Sequence, residues 1–255
     1  MTDMLNTLEQ ADAQLLLFLN GFHNSYWDYF MMMYSSRFVW IPFYASFLYV
    51  MFRNYDWRSA TKCLVAIIAI VVLCDQTTSG LIKPMVERLR PSNTDNPISP
   101  MVHIVSNYRG GRYGFPSSHA ANAWGMVFFA MYLARNRKLN LFLLAWAIVM
   151  AYSRAYMGVH YPGDILVGIF FGALYATLCY YLLAYIDPQG IEQWKTTGRQ
   201  LHQSWLPITM GSLSVLVMLT AAVFMAATQT DIFFNKKKRK TATPKTTPQQ
   251  KEMNQ

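Results

Sequence analysis

Apolar residues in this chain come in long, nearly unbroken runs, not at the alternating or three-to-four-residue spacing of half-buried elements. Six runs stand out: 37–53, 61–82, 119–135, 139–157, 162–186 and 206–228. A helix needs about 20 mostly apolar residues to cross roughly 30 Å of hydrocarbon, so these runs predict about six transmembrane helices. Residues 11–33 are also apolar, but Gly21, His23, Asn24 and Asp28 interrupt them. They predict an interfacial or half-buried helix, with Tyr26, Trp27 and Tyr29 at head-group level. The fold class is therefore all-α, a polytopic membrane helical bundle.

The connections divide the chain further. Segments 53–62 and 135–138 are short and basic, whereas 83–118 is long and rich in Pro, Gly, Ser and Asn. Helix parity puts 83–118 and 158–161 on one side and the two basic loops on the other. Lys and Arg in short loops mark the cytoplasmic side, so the polar loops are expected to face the periplasm or cell exterior from a bacterial inner membrane. A run KKKRK at 236–240 opposes that orientation if 206–228 spans fully. The expected divisions are 1–36 as an N-terminal interfacial segment, 37–186 as the membrane domain, 187–228 as linker and last helix, and 229–255 as a basic tail with the composition of disorder.

Composition agrees with the bilayer reading: 53% of residues are hydrophobic and 14% charged, against about a quarter charged in soluble domains. The net charge of +9 does not imply nucleic acid, because the basic run follows a span and no soluble domain surrounds it. Lipid head groups are the expected contact. The acidic N-terminus lacks the basic region of a secretory signal. Cys63, Cys74 and Cys179 lie in apolar runs without metal spacing and read as packed thiols.

Three segments carry candidate chemistry. In KPMVERLRP, Lys83 and Arg90 are seven residues apart. On a helix that spacing puts both cations on one face, where they could hold a phosphate; taken alone, the segment reads better as an ordinary basic membrane flank. In PSSHA, Ser117 and Ser118 suit a helix start, whose free N–H groups bind anions, and His119 falls in the first turn. In SRAYMGVHYPGD, Arg154 ends a span, and Asp164 follows His160 by four residues. That carboxylate could orient the imidazole and leave its other nitrogen as nucleophile. Ionisable groups near a bilayer are costly and usually functional, and here they gather at span ends on one side. Of the remaining charges, Asp75 is expected to be structural. Arg109 and Arg112 read equally as solvated or as contacts to a second phosphate or sugar, and His103 and His202 as surface residues.

These segments resemble the type 2 phosphatidic acid phosphatase (PAP2) family, related to vanadium-dependent haloperoxidases, whose pattern is K-x6-RP, PSGH and SR-x5-H-x3-D. Lys83 to Arg90–Pro91, Pro116 to His119, and Ser153–Arg154 to His160 and Asp164 match in spacing, over about residues 60–186. The departure is Ser118, where the family usually has glycine. The resemblance implies hydrolysis of a lipid phosphate without metal or other cofactor. His160 would be the nucleophile, Asp164 its orienter and His119 the acid. Lys83, Arg90, Arg154, Ser117 and the Ser118 N–H would hold the phosphoryl oxygens. The implied partner is a phosphorylated membrane lipid: lipid A, undecaprenyl diphosphate, phosphatidate or phosphatidylglycerol phosphate. The long second loop suits a bulky head group such as lipid A. A transporter, or a binding protein with a degenerate site, is the alternative. The sequence leaves the oligomeric state open.

Overall fold

A computed structural model describes residues 2–197 and 201–228; the basic tail at 229–255 lies outside them. The described residues form nine principal α-helices: α1 Thr2–Asn20, α2 Ser25–Tyr34, α3 Ile41–Asn54, α4 Trp57–Val86, α5 Ser118–Ala134, α6 Arg137–Tyr156, α7 Pro162–Ile186, α8 Pro188–Thr197 and α9 Trp205–Thr228. A 3-10 turn, Arg37–Trp40, leads into α3, and α4 widens into a π-helix over Gln76–Ile82.

Four helices, α4, α6, α7 and α9, are long and apolar enough to cross a membrane. The other two expected spans are shorter. In 37–53, the Arg37–Trp40 turn and Pro42 delay the helix, leaving 14 residues in α3. The run at 119–135 gives the 17 residues of α5, closed by Arg135 in the left-handed conformation. At 1.5 Å per residue these rise about 21 and 25 Å. Helix α5 is the centre of the bundle. It packs most extensively on α7 and also touches α4 and α6. Glycines allow this approach: a Cβ at Gly172 would meet the Ala121 carbonyl oxygen at 2.6 Å, and one at Gly168 the Ser117 carbonyl oxygen at 2.4 Å. Small residues at helix crossings serve membrane bundles, where dispersion contacts replace the hydrophobic drive. Ile68, Leu166, Phe170, Leu216 and Phe224 are exposed on these helices, as an apolar surface toward lipid requires.

The N-terminal segment is more deeply built in than expected. Asn24 caps α2 by accepting from the Trp27 N–H, and residues Phe30–Tyr34 of α2 are buried, packing on α6 and α9. The Asn20 side chain donates to the carbonyls of Tyr156 and His103, which ties the end of α1 to the end of α6. The polar segment 187–205 contains α8, where Ile191 and Trp194 are buried and Trp194 stacks on Tyr55 at 3.4 Å. All three cysteines are buried and free.

Candidate active site

Three chain segments converge where α4 ends and α5 and α7 begin. Segment 83–91 reaches this point by a different route from the one its spacing predicts. Helix α4 stops at Val86, and Glu87 is left-handed with φ of 51°. The chain then runs extended, with Leu89 pairing with Tyr113 in an isolated antiparallel bridge and the Arg90 N–H donating to the Arg112 carbonyl. Lys83 and Arg90 therefore do not share a helix face, yet both line one cavity.

That cavity measures about 640 Å³. Its polar lining includes Arg37, Lys83, Arg90, Ser118 and His119, and its apolar lining is Val71 and Val72 of α4, Met126 of α5, and Trp146 and Met150 of α6 among others. Ser117 caps α5, its hydroxyl accepting from the Ala120 N–H at 3.4 Å while its own N–H donates to the Asp164 carbonyl. Its hydroxyl is thus engaged in the cap, and Ser117 is fully buried.

His160 is buried just ahead of Tyr161, the N-cap of α7. Its Nε2 lies 2.7 Å from Arg90 Nη1, which also donates to the Val159 carbonyl. A guanidinium has no acceptor, so Nε2 must present a lone pair and the ring proton sits on Nδ1. Nδ1 faces Asp164 Oδ2 at 3.4 Å, a contact longer than a well-formed hydrogen bond. Burial first, then Arg90, Arg154 and Lys83, keep the His160 pKa well below the ordinary histidine value, so the ring is neutral. Burial and Arg154 push Arg90 down to about 10, which leaves it cationic at neutral pH. Arg154, at 2% exposure, donates to the Ser35 hydroxyl and leaves its Nε without a protein partner.

Asp164 is fully buried, and its strongest partner is a residue absent from the sequence-based candidates. Arg88 donates from Nη1 to Asp164 Oδ1 at 2.8 Å and from Nη2 to Asp12 Oδ2 at 2.7 Å, with its guanidinium 4.0 Å above the Tyr161 ring. Asp164 Oδ2 also accepts from the Tyr161 N–H at 3.0 Å, and Asp12 from the Gly163 N–H at 2.8 Å. Arg88 stands two residues before Arg90, and in an extended strand such neighbours can both serve one wall; the assumption of a helix concealed that signal.

The remaining charges are placed as follows. Arg109 is structural: it donates to the Ser92 carbonyl and the Ser99 hydroxyl. Arg112 is solvated, 3.9 Å from Asp95. Asp75 lines the cavity, with Ser79 Oγ 3.4 Å from its carboxylate. His103 is not a free surface residue, because it stacks on His23 at 3.7 Å and meets Asp28 at 2.9 Å.

The PAP2 superfamily model matches residues 59–188, which contain every one of the predicted site residues. The chain belongs to the PAP2 superfamily. As a PAP2 protein it is a membrane lipid phosphatase, and several apolar helices carry it through the bilayer. It is 44% identical to a lipid A 4'-phosphatase of Bacteroides thetaiotaomicron over 179 residues, 70% of this chain and 80% of that one. A lipid A 4'-phosphatase of Porphyromonas gingivalis is 29% identical over 88% of this chain and 94% of its own. The crystal structure of Aquifex aeolicus LpxE shares the fold with a TM-score of 0.51, at 20% identity, covering 66% of this chain and 93% of that one.

Proposed function

We propose that this PAP2 phosphatase removes a phosphate from lipid A, or from a glycolipid of the same build, through a phosphohistidine on His160. The observation that carries the reading is the cavity lined both by Lys83, Arg90, Ser118 and His119 and by apolar side chains of the bundle. A phosphate can sit against its polar lining while acyl chains stay at bilayer depth. The two lipid A 4'-phosphatases among the relatives support a lipid A head group.

In the first step the Nε2 lone pair of His160 attacks phosphorus. The incoming phosphate takes over Arg90 from Nε2, which frees the nucleophile and turns the guanidinium toward a phosphoryl oxygen. The P–O bond to the sugar breaks, and the leaving oxygen takes a proton from His119. In the second step water, deprotonated by His119, attacks the phosphohistidine and releases inorganic phosphate. Lys83, Arg90 and Arg154 balance the charge that develops on the equatorial oxygens, and the N-terminus of α5 adds backbone N–H groups. The basic loops at 53–62 and 135–138 support a site on the periplasmic side of an inner membrane.

The test is a panel of lipid A bisphosphate, undecaprenyl diphosphate and phosphatidate presented to purified protein at equal surface concentration, with and without EDTA. Fastest phosphate release from lipid A, unchanged by EDTA, is the expected result. Preference for either other lipid would refute the substrate assignment, and loss of activity in EDTA would refute the metal-free mechanism.

A further inference from the structure

Ser118 occupies the position where the family pattern has glycine, and its hydroxyl sits at the junction of four polar side chains. Lys83 Nζ donates to Ser118 Oγ at 2.5 Å and to Ser79 Oγ at 3.1 Å. Ser79 Oγ lies 2.7 Å from Ser118 Oγ, and Thr78 Oγ1 lies 2.8 Å from it. Thr78 and Ser79 are adjacent in the π-helical stretch of α4, a local form that recurs at functional sites. Three hydroxyl protons serve four contacts here, and the longest, Ser79 to Asp75 at 3.4 Å, is the one left without a proton. Thr78 gives its hydrogen to the Cys74 carbonyl at 2.7 Å. Ser118 can then donate to Thr78 and accept from both Ser79 and Lys83, which uses its full capacity of one donor and two lone pairs. A glycine at 118 would take away the shared acceptor.

We propose that Ser118 is a positioning residue for Lys83 that fixes the ammonium as a phosphate ligand in the cavity. An ammonium has three donors. Ser118 and Ser79 take two, and the third is left for a phosphoryl oxygen. Lysine is a flexible point charge on a four-carbon stem, so holding it in place before substrate arrives lowers the ordering cost of binding. Ser79, Lys83 and Ser118 all line the cavity, so the cluster faces the substrate. This inference rests on the phosphatase reading of the same site.

The test compares wild type with S118A, S118G, S118T, K83M and K83M/S118A, by kcat/KM on a lipid phosphate and by inhibition with orthovanadate. Size-exclusion profiles in detergent report folding. S118A and S118G are expected to lose about tenfold in kcat/KM and to need about tenfold more vanadate, the scale of a hydrogen bond to a charged group. S118T keeps the hydroxyl and is expected to retain most of both. In the K83M background, adding S118A should change neither value by more than about twofold, since coupled residues are not additive. The proposal is overturned if S118G matches wild type, or if S118A costs as much without Lys83 as with it. A wild-type protein that releases no phosphate and ignores vanadate would overturn the phosphatase reading, and this proposal with it.

Discussion

Replacing Arg88 by methionine separates what the buried Asp164 carboxylate needs for stability from what it does in the reaction. Asp164 is 0% exposed and Arg88 20% exposed at the side chain, with 2.8 Å between them. Removing one partner of a buried ion pair leaves a charge without compensation and costs about 3–5 kcal/mol. The outer pair, Arg88 with Asp12 at 2.7 Å, is partly open to solvent. D12N keeps an acceptor for the Gly163 N–H but gives up both the charge and the oxygen that faces Arg88, which at a screened site costs about 1 kcal/mol. The order R88M well above D12N follows from burial alone. Restoring neutrality with R88M/D164N removes the orphan charge, so stability should return most of the way while activity does not, because the His160 ring has lost its orienting carboxylate. A misplacement of about 1 Å at a reacting group can cost about a hundredfold in rate, and a loss of that order is expected for both R88M and the double variant. Denaturation in detergent micelles and steady-state phosphate release read the two effects separately. The reasoning fails if R88M is as stable as wild type, if D12N costs as much as R88M, or if R88M/D164N stays as unstable as R88M.

Three further outcomes follow from the same geometry. His160 is held neutral when folded but titrates near 6.5 when unfolded; as pH falls below about 6.5 the unfolded chain gains a proton the folded one refuses. Stability should therefore drop with falling pH by up to about 1.4 kcal/mol per unit, and melting curves at pH 7.5 and 5.5 should show a smaller drop in H160Q. G168A must push a Cβ 2.4 Å from the Ser117 carbonyl, so it should cost about 1–3 kcal/mol and lower activity by moving the start of α5; G111A, with nothing within 4 Å, should leave both unchanged. Arg37 lines the cavity from outside the matched family region, so R37Q should raise KM several-fold with kcat little changed, the pattern of lost uniform binding.

The parts of the site that are local in sequence were legible in it. His160, Tyr161 and Asp164 surround one helix start, so their spacing alone predicts their proximity. Ser118 and His119 open α5 as their residue types suggest. Lys83 and Arg90 were matched to the right place through the wrong geometry, because nothing local announced the left-handed Glu87 that ends α4. Arg88, Asp12 and Ser35 carry no local signal, since each acts across a long stretch of chain: Asp12 and Arg88 are 76 residues apart, and Ser35 and Arg154 are 119 apart. Apolar runs predicted most helices to within a residue or two, among them 119–135 for α5 and 162–186 for α7. The run at 37–53 overstates α3, because the turn at Arg37–Trp40 takes its first residues.

The proposed covalent step has its most direct test in trapping the phosphoenzyme. Purified protein is mixed with a phosphorylated lipid, quenched in alkali to preserve phosphohistidine, digested and mapped by mass spectrometry. One phosphoryl group on His160, absent from H160Q, is the expected result. Turnover by H160Q at a rate near wild type, or a phosphoryl group found on another residue, would contradict a reaction through His160.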